Sequence, residues 1–382
     1  MRICLVYDCL FPYTVGGAER WYRSLGERLA REGHEVSYLT LRQWDRGDPP
    51  EIPGLRVHAV GPRMRLYAGG RRRILPPVVF GAGVLWQLLT QGRRYDVVHT
   101  ASFPYFSLLA AAAGRRLHPY RLVVDWHEVW SRSYWREYLG RAGALGWWVQ
   151  RLCARVPQRA FCFSRLHAER LRAEGLDGPL TVLEGEYDGA VEQVEAGPRE
   201  PMVVFAGRHI PEKRVPALVP AVAAARGRIA GLRCEIYGDG PDRASVEREV
   251  ERERLGDAVR VHGFVAADEV DRALRRAMCM VLPSRREGYG LVVVEASARG
   301  TPSIVVRDED NAATELVDDG QNGVIAASAS PADLADAIVR VHEAGADLRD
   351  STARWFERNA ARLSLSSSLE TVARAYETSP TR

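Results

Sequence analysis

Two glutamates eight positions apart, Glu287 and Glu295, stand in the segment EGYGLVVVEASARG and carry the clearest chemical meaning in the chain. Glu287 follows the apolar run Cys279–Pro283 and reads as a loop acid. Gly288, Tyr289 and Gly290 lead the chain into a helix that closes at Gly300, with Pro302 just beyond. Glu295 falls one to two turns into that helix, between Val294 and Ala296. Acids at both ends of a run of free backbone N–H groups can hold hydroxyls at the ends and phosphate in the middle. A merely solvated carboxylate fits Glu295 poorly, because a carboxylate among buried residues needs a partner.

Three further loops have phosphate chemistry in reach. In AGRHIPEKR, Arg208 and Lys213 flank a short turn after an apolar strand, and Lys213 is the one lysine beside 52 arginines. A compact ammonium kept where every other cation is a guanidinium points to a place that needs a point charge; a surface residue surviving by chance is the plain alternative. In TVGGAER, Gly16 and Gly17 stand where a helix begins and would let a phosphate approach the backbone, or simply make a turn. Their spacing is not the G-x-G-x-x-G of dinucleotide enzymes. In YGDGPDR, Gly238 and Gly240 allow tight turning, which an ordinary strand–helix loop also uses. His127 closes a strand, Arg121–Asp125, at an end where such sheets bind ligands, although a lone histidine is usually structural.

The elements that must position these residues alternate. Arg2–Tyr7 is a nearly continuous apolar run, as a strand buried on both faces should be, and a helix is expected from about Gly17 to Arg31, closed by Gly33. Glu35–Thr40, Tyr95–Thr100 and Arg121–Asp125 read as further strands. A second series follows at Met202–Ala206, Leu232–Tyr237, Val259–His262, Cys279–Pro283 and Ser303–Val306, with a last helical segment over about Pro331–Tyr376. Alternating strands and helices imply an α/β chain with parallel sheets, and 382 residues suit two domains. The rhythm breaks where Gly, Pro and Glu cluster. This sets an N-terminal domain at 1–185, a linker at 186–200, a C-terminal domain at 201–365 and a closing helix at 366–382 that crosses back to the first domain.

Composition narrows the classes. With 46% hydrophobic and 27% charged residues the chain is globular. The six cysteines form no C-x-x-C pair and read as buried thiols of a reducing compartment; no metal site is expected from them. Ile74–Thr90 is the longest apolar stretch, broken by prolines and glycines and short of the ~20 residues of a membrane span, so a cytoplasmic protein is expected. Net charge is +4, yet residues 61–160 hold 16 Arg against 4 acids, a local +12. That excess suits an anionic partner, a phosphate-bearing substrate or an anionic membrane surface at whose inner face the protein would be peripheral; a solvated face is the alternative. No nucleic-acid module accompanies it, so nucleic acid is not expected.

Together the GGAER loop, the GR…EK loop, the GDGP loop, HGFV (262–265) and the E-x7-E pair, in the family's order along the chain, resemble glycosyltransferase family 4 over nearly the whole chain. The resemblance implies the GT-B architecture, two Rossmann-like domains with parallel sheets facing across a cleft. It implies a retaining transferase that moves a hexose-type sugar from a UDP or GDP donor to a hydroxyl acceptor, lipid-linked or a saccharide, with no metal and no cofactor. It further implies the roles. Gly16 and Gly17 meet the diphosphate, which Arg208 and Lys213 neutralise, with Gly238 in the adjoining loop. Glu295 takes the ribose hydroxyls, Glu287 the sugar hydroxyls, and His127 lies near the anomeric centre. Gly263, Phe264 and Val265 meet the base, the amides of Tyr289, Gly290 and Leu291 assist the phosphates, and Gly288 is a further donor-binding position. The chain departs from the family where Glu184-Gly185-Glu186-Tyr187-Asp188 replaces an Asn-Gly-Val-Asp turn, and where Glu128 follows His127 in place of Asp. A nucleotide-sugar epimerase or a non-catalytic nucleotide-sugar-binding protein would share the phosphate loops. Finally, Tyr134–Val156 reads as one amphipathic helix, with Trp135, Leu139, Leu145, Trp148 and Leu152 on one face and arginines around it, either packed on the core or lying on a membrane.

Overall fold

The computed structural model describes residues 1–45, 47–68, 71–191, 194 and 199–377. It divides into two compact units, Met1–Glu186 with Leu365–Arg382, and Tyr187–Ser364. Residues 192, 193 and 195–198 of the expected linker lie outside the described residues, and the first strand of the second unit already begins at Glu200.

In the first unit the strands are β1 (Arg2–Val6), β2 (Glu35–Leu41), β3 (Leu55–Gly61), a small hairpin β4 (Tyr67–Ala68) and β5 (Arg71–Arg72), β6 (Val97–Ala101), β7 (Arg121–Trp126), β8 (Arg159–Cys162) and β9 (Leu180–Val182). The main sheet is parallel, in the order β3-β2-β1-β6-β7-β8-β9. Ile3, Cys4, Leu5 and Val6 are all fully buried, which explains the unbroken apolar run of β1: helices cover both sheet faces. Those helices are α1 (Gly17–Arg31), α2 (Leu75–Gln91), α3 (Tyr105–Gly114), α4 (Arg132–Leu139), α5 (Gly143–Ala154) and α6 (Arg165–Ala173). Ser131 and Ser164 cap α4 and α6 by accepting from Tyr134 and His167 N–H groups at 3.1 and 3.2 Å. The expected single helix over Tyr134–Val156 is instead α4 and α5 with a 3-10 turn, Gly140–Ala142, between them. Gly140 has φ +58°, which ends α4; Trp135 is buried, while Leu145, Trp148 and Leu152 are exposed.

The second unit repeats the plan with β10 (Glu200–Ala206), α7 (Leu218–Arg226), β11 (Arg233–Tyr237), α8 (Arg243–Arg252), β12 (Val259–Gly263), α9 (Ala267–Arg276), β13 (Ala277–Leu282), β14 (Arg286–Glu287), α10 (Leu291–Ser297), β15 (Ser303–Val306), β16 (Asp310–Asn311), β17 (Gly323–Ala326) and α11 (Pro331–Leu363). Its parallel sheet runs β12-β11-β10-β13-β15-β17. The expected last helical segment is two helices: α11, broken internally at Gly345 (φ +51°), and α12 (Leu365–Glu377), which packs with the first unit. In both sheets the strand order reverses beside the first strand, at β1/β6 and at β10/β13. The loops after β1 and β10 therefore occupy the positions where open parallel sheets bind ligands. Strands β3 and β9 are partly exposed sheet edges and are not among the strands expected from the sequence, although Leu55, Val57 and Ala59 alternate with Arg56 and His58 in β3. All six cysteines are buried and free.

Candidate functional site

In the second unit, loops from four strand ends are laced together. Gly207 N–H donates to Tyr237 O at 3.1 Å, Gly238 N–H to Gly263 O at 2.7 Å, and His209 N–H to Asp239 O at 2.8 Å. Gly238 has φ +115°, and a Cβ there would lie 1.9 Å from Gly207 O; one on Gly240 would lie 2.4 Å from His209 O. These glycines are dictated by backbone approach, which the turn reading alone did not capture. Gly263 ends β12 with φ +79°, followed by the 80%-exposed Phe264 ring and the partly exposed Val265.

The loop after β10 carries the cations. Arg208 is exposed and has no side-chain partner among the described residues. Lys213 ends a 3-10 turn, Pro211–Lys213, and its Nζ donates to Glu287 Oε1, which also accepts from Ser284 Oγ at 2.6 Å. The two loops are also tied through Arg285 N–H, which donates to Glu212 O at 2.8 Å. Glu287 was expected in a free loop. It lies instead on β14, which pairs with β16 so that Glu287 faces Asn311. Asn311 is buried and donates to Ser284 O and Val306 O at 3.0 and 2.7 Å, so the glutamate stands on a braced strand, itself 7% exposed. Gly290 (φ +106°) turns the chain into α10; a Cβ there would meet Ala313 Cβ at 2.7 Å. Gly288 and Leu291 are partly exposed, Tyr289 is buried, and Glu295 is half-buried on α10 and engaged by neighbours. The structure thus joins Lys213 to Glu287 directly and sets Gly238 and Gly263 against each other.

In the first unit, Gly16 caps α1 with extended backbone, φ −167°, so no special conformation requires glycine there. Gly17 opens on empty space, with nothing within 4 Å of a built Cβ. The Glu19 carboxylate folds back toward Gly16, 2.4 Å from where its Cβ would be, and puts a negative charge on the helix N-terminus. His127 follows β7, stacked on Phe163 with ring centres 4.4 Å apart, and its buried Nε2 has no hydrogen-bond partner among the described residues. Burial and the nearby His99 push its pKa down to about 4 against the pull of Asp125, so the ring is neutral at pH 7.

Beneath it lies a buried polar group that sequence reasoning missed. Asp125 accepts from Trp21 Nε1 at 2.7 Å, and His99 Nε2 lies 2.8 Å from its other oxygen, close enough for an ion pair though off-line for a hydrogen bond. Burial works against the Asp125 charge, but His99, His127 and the indole N–H hold its pKa below the usual value. His99 Nδ1 faces the Tyr376 hydroxyl of α12, which is how the last helix is keyed to the first sheet. Burial, and then Asp125, raises the Glu186 pKa to about 7. At the end of β1, the fully buried Asp8 pairs with Arg72 of the hairpin, whose guanidinium lies 5.1 Å over the Phe103 ring. A signal existed for Asp8, His99 and Asp125: each is a polar residue in or just after an apolar strand. Nothing local marks Arg72 among 52 arginines.

Among the described residues no group of three His, Cys, Asp or Glu side chains is gathered in a metal-binding arrangement, and no helix is long and apolar enough to cross a membrane.

The family model "Glycosyltransferase Family 4" matches residues 15–185, and "Glycosyl transferases group 1" matches residues 190–360. The chain is 28% identical to a glycogen synthase of Mycobacterium tuberculosis over 98% of its own length and 93% of the relative's. It is 30% identical to an alpha-D-kanosaminyltransferase of Streptomyces kanamyceticus, but over only 37% of its own length and 36% of that protein. Among solved structures, sucrose-phosphate synthase from Thermosynechococcus elongatus superposes with a TM-score of 0.78 at 21% identity, covering 98% of both chains. HepE of Anabaena, solved in complex with UDP, gives a TM-score of 0.73 at 16% identity, covering 99% of this chain and 100% of its own. With a family model on each unit and the fold of these structures, the chain belongs to glycosyltransferase family 4 and is a glycosyltransferase of the GT-B type.

Proposed function

We propose that the chain is a retaining, metal-independent transferase that moves a hexose from a nucleotide-diphosphate donor, UDP or GDP, to a hydroxyl acceptor. The observation that carries this reading is the joined pair Lys213–Glu287, with the exposed Arg208 on the same loop, at the switch point of the second sheet. Breaking the anomeric C–O bond leaves a diphosphate and an oxocarbenium-like centre. Fixed cations beside the diphosphate stabilise that charge where a metal would otherwise do so. Glu287, already held by an ammonium and by Ser284, is a positioned acceptor for sugar hydroxyls and a weakened nucleophile. Retention then comes from attack on the face the diphosphate leaves, with the departing phosphate oxygen taking the acceptor's proton. Neutral His127, with Nε2 unengaged, is suited to a hydrogen bond with the sugar. Glu295 is assigned to the ribose, Gly16, Gly17 and the amides of Tyr289–Leu291 to the diphosphate, and Gly263–Val265 to the base. HepE, solved with UDP, supports a nucleoside-diphosphate site in this fold. Acceptor and localisation are proposals of the same kind: a saccharide or lipid-linked hydroxyl, reached from the cytoplasm.

The test is thermal denaturation with UDP, GDP and ADP in EDTA. One nucleotide should raise the melting temperature, by an amount that grows with its concentration. Glu295→Ala should lower that affinity, and sugar transfer should persist in chelator. No shift with any nucleotide, or activity abolished by EDTA and restored by Mn²⁺, would overturn the proposal.

A further inference from the structure

We infer that the outer face of the α2–α3–α5 layer of the first unit docks on an anionic lipid bilayer surface. The connections β3 to β6, β6 to β7 and β7 to β8 all run the same way across the sheet. Right-handed crossovers then put α2, α3 and α5 on one sheet face, away from α1, whose connection runs the other way. Helix α2 packs on α3, and α3 on α5.

A helix covering a sheet should be apolar inward and charged outward. Here the outward faces are apolar too. Helices α2 and α3 carry no charged residue, and α5 carries one, Arg151. The exposed positions of α2 are Leu75, Val78, Ala82, Trp86 and Leu89, at helical spacing, and the polar Thr90 at its end, with Trp86 71% exposed. On α5 they are Ala144, Leu145, Trp148 and Leu152, with Leu145 62% and Trp148 57% exposed. Trp147, next in sequence, is accounted for inside the unit: Arg132 and Arg151 each lie 4.8 Å from its ring, and its Nε1 donates to Glu174 at 2.7 Å. Trp148 has no ring contact of this kind among the described residues. Of the fourteen large apolar side chains left exposed among the described residues, ten fall between Ile74 and Leu152.

Charge decides the occupant. Residues 61–160, which contain this stretch, carry the +12 excess, and exposed Arg73, Arg93, Arg94, Arg116, Arg141 and Arg155 lie at the ends of these helices. Apolar stripes with tryptophan, rimmed by arginine, match the acyl–headgroup boundary of an anionic bilayer. A second copy of the chain would bring a like-charged face against this one.

Flotation with phosphatidylcholine vesicles, with and without phosphatidylglycerol, tests this without reading sugar transfer, so its outcome is independent of the proposed reaction. Binding should require the anionic lipid and fall as salt rises, since surface charges are screened over about 8 Å at physiological ionic strength. Arg93→Ser with Arg94→Ser should weaken it about 25-fold, at about fivefold per arginine, without moving the melting temperature. Trp86→Ser with Trp148→Ser should abolish it. Absence of binding at low salt, equal binding to neutral vesicles, or undiminished binding by the tryptophan variant would each overturn the inference. So would a dimer in solution that the tryptophan variant dissociates.

Discussion

Breaking the Lys213–Glu287 pair should have two separable effects. The lysine side chain is 19% exposed and the glutamate 8%, so the pair stands between a surface ion pair, worth ~0–1 kcal/mol, and a buried one, where removing a partner costs ~3–5 kcal/mol. Charges ~3 Å apart in an effective dielectric of ~20 attract by about 5 kcal/mol; desolvation removes much of that, leaving about 2 kcal/mol of coupling. Ser284 still holds Glu287 when Lys213 is lost, which keeps the figure at the low end. In a double-mutant cycle, Lys213→Met and Glu287→Gln should each lower the melting temperature by ~4–8 °C, and the double variant should fall little further. Turnover separates the roles. Lys213→Met should lose roughly 100-fold with weakened nucleoside-diphosphate binding. Glu287→Gln should lose turnover yet keep or improve that binding, because the ammonium is released. Additive melting shifts would mean the pair is not formed in solution, and full activity in Lys213→Met would refute the leaving-group assignment.

Gly238→Ala should cost more than ~3 kcal/mol, since it combines a left-handed φ with a Cβ 1.9 Å from a backbone oxygen; an unchanged melting temperature would contradict the laced loops. The pH dependence of stability should have two opposed parts. His127 is depressed from 6.5 to about 4, so between those values the unfolded chain binds a proton that the folded one refuses, and stability falls by up to ~3 kcal/mol as pH drops. Glu186 is raised from 4.5 to about 7, so its contribution is present below pH 4.5 and is lost as pH rises through 7. His127→Gln should flatten the first limb and Glu186→Gln the second in denaturant titrations across pH; unchanged slopes would show that neither pKa is shifted as described.

The chain's own order of residues determined the alternating elements, the carboxyl-end loops and the types of group in them. Strand burial on both faces writes itself as apolar runs such as Ile3–Val6, and loops that handle phosphate need Gly, Arg, Lys and Glu near strand ends. What stayed illegible was set by residues far apart in sequence. The partner of Lys213 is 74 positions away on a strand of two residues that exists only because β16 pairs with it. Gly238 is required by a carbonyl of another loop, and no local pattern carries that contact. The Asp125–His99–Tyr376 link spans most of the chain, so His127's neutral state could not be read from its neighbours in sequence. The arginine excess was visible by counting, but which apolar side chains of α2 and α5 remain in water was decided by packing: one face of each helix covers the sheet, and none of the described residues of the unit covers the other.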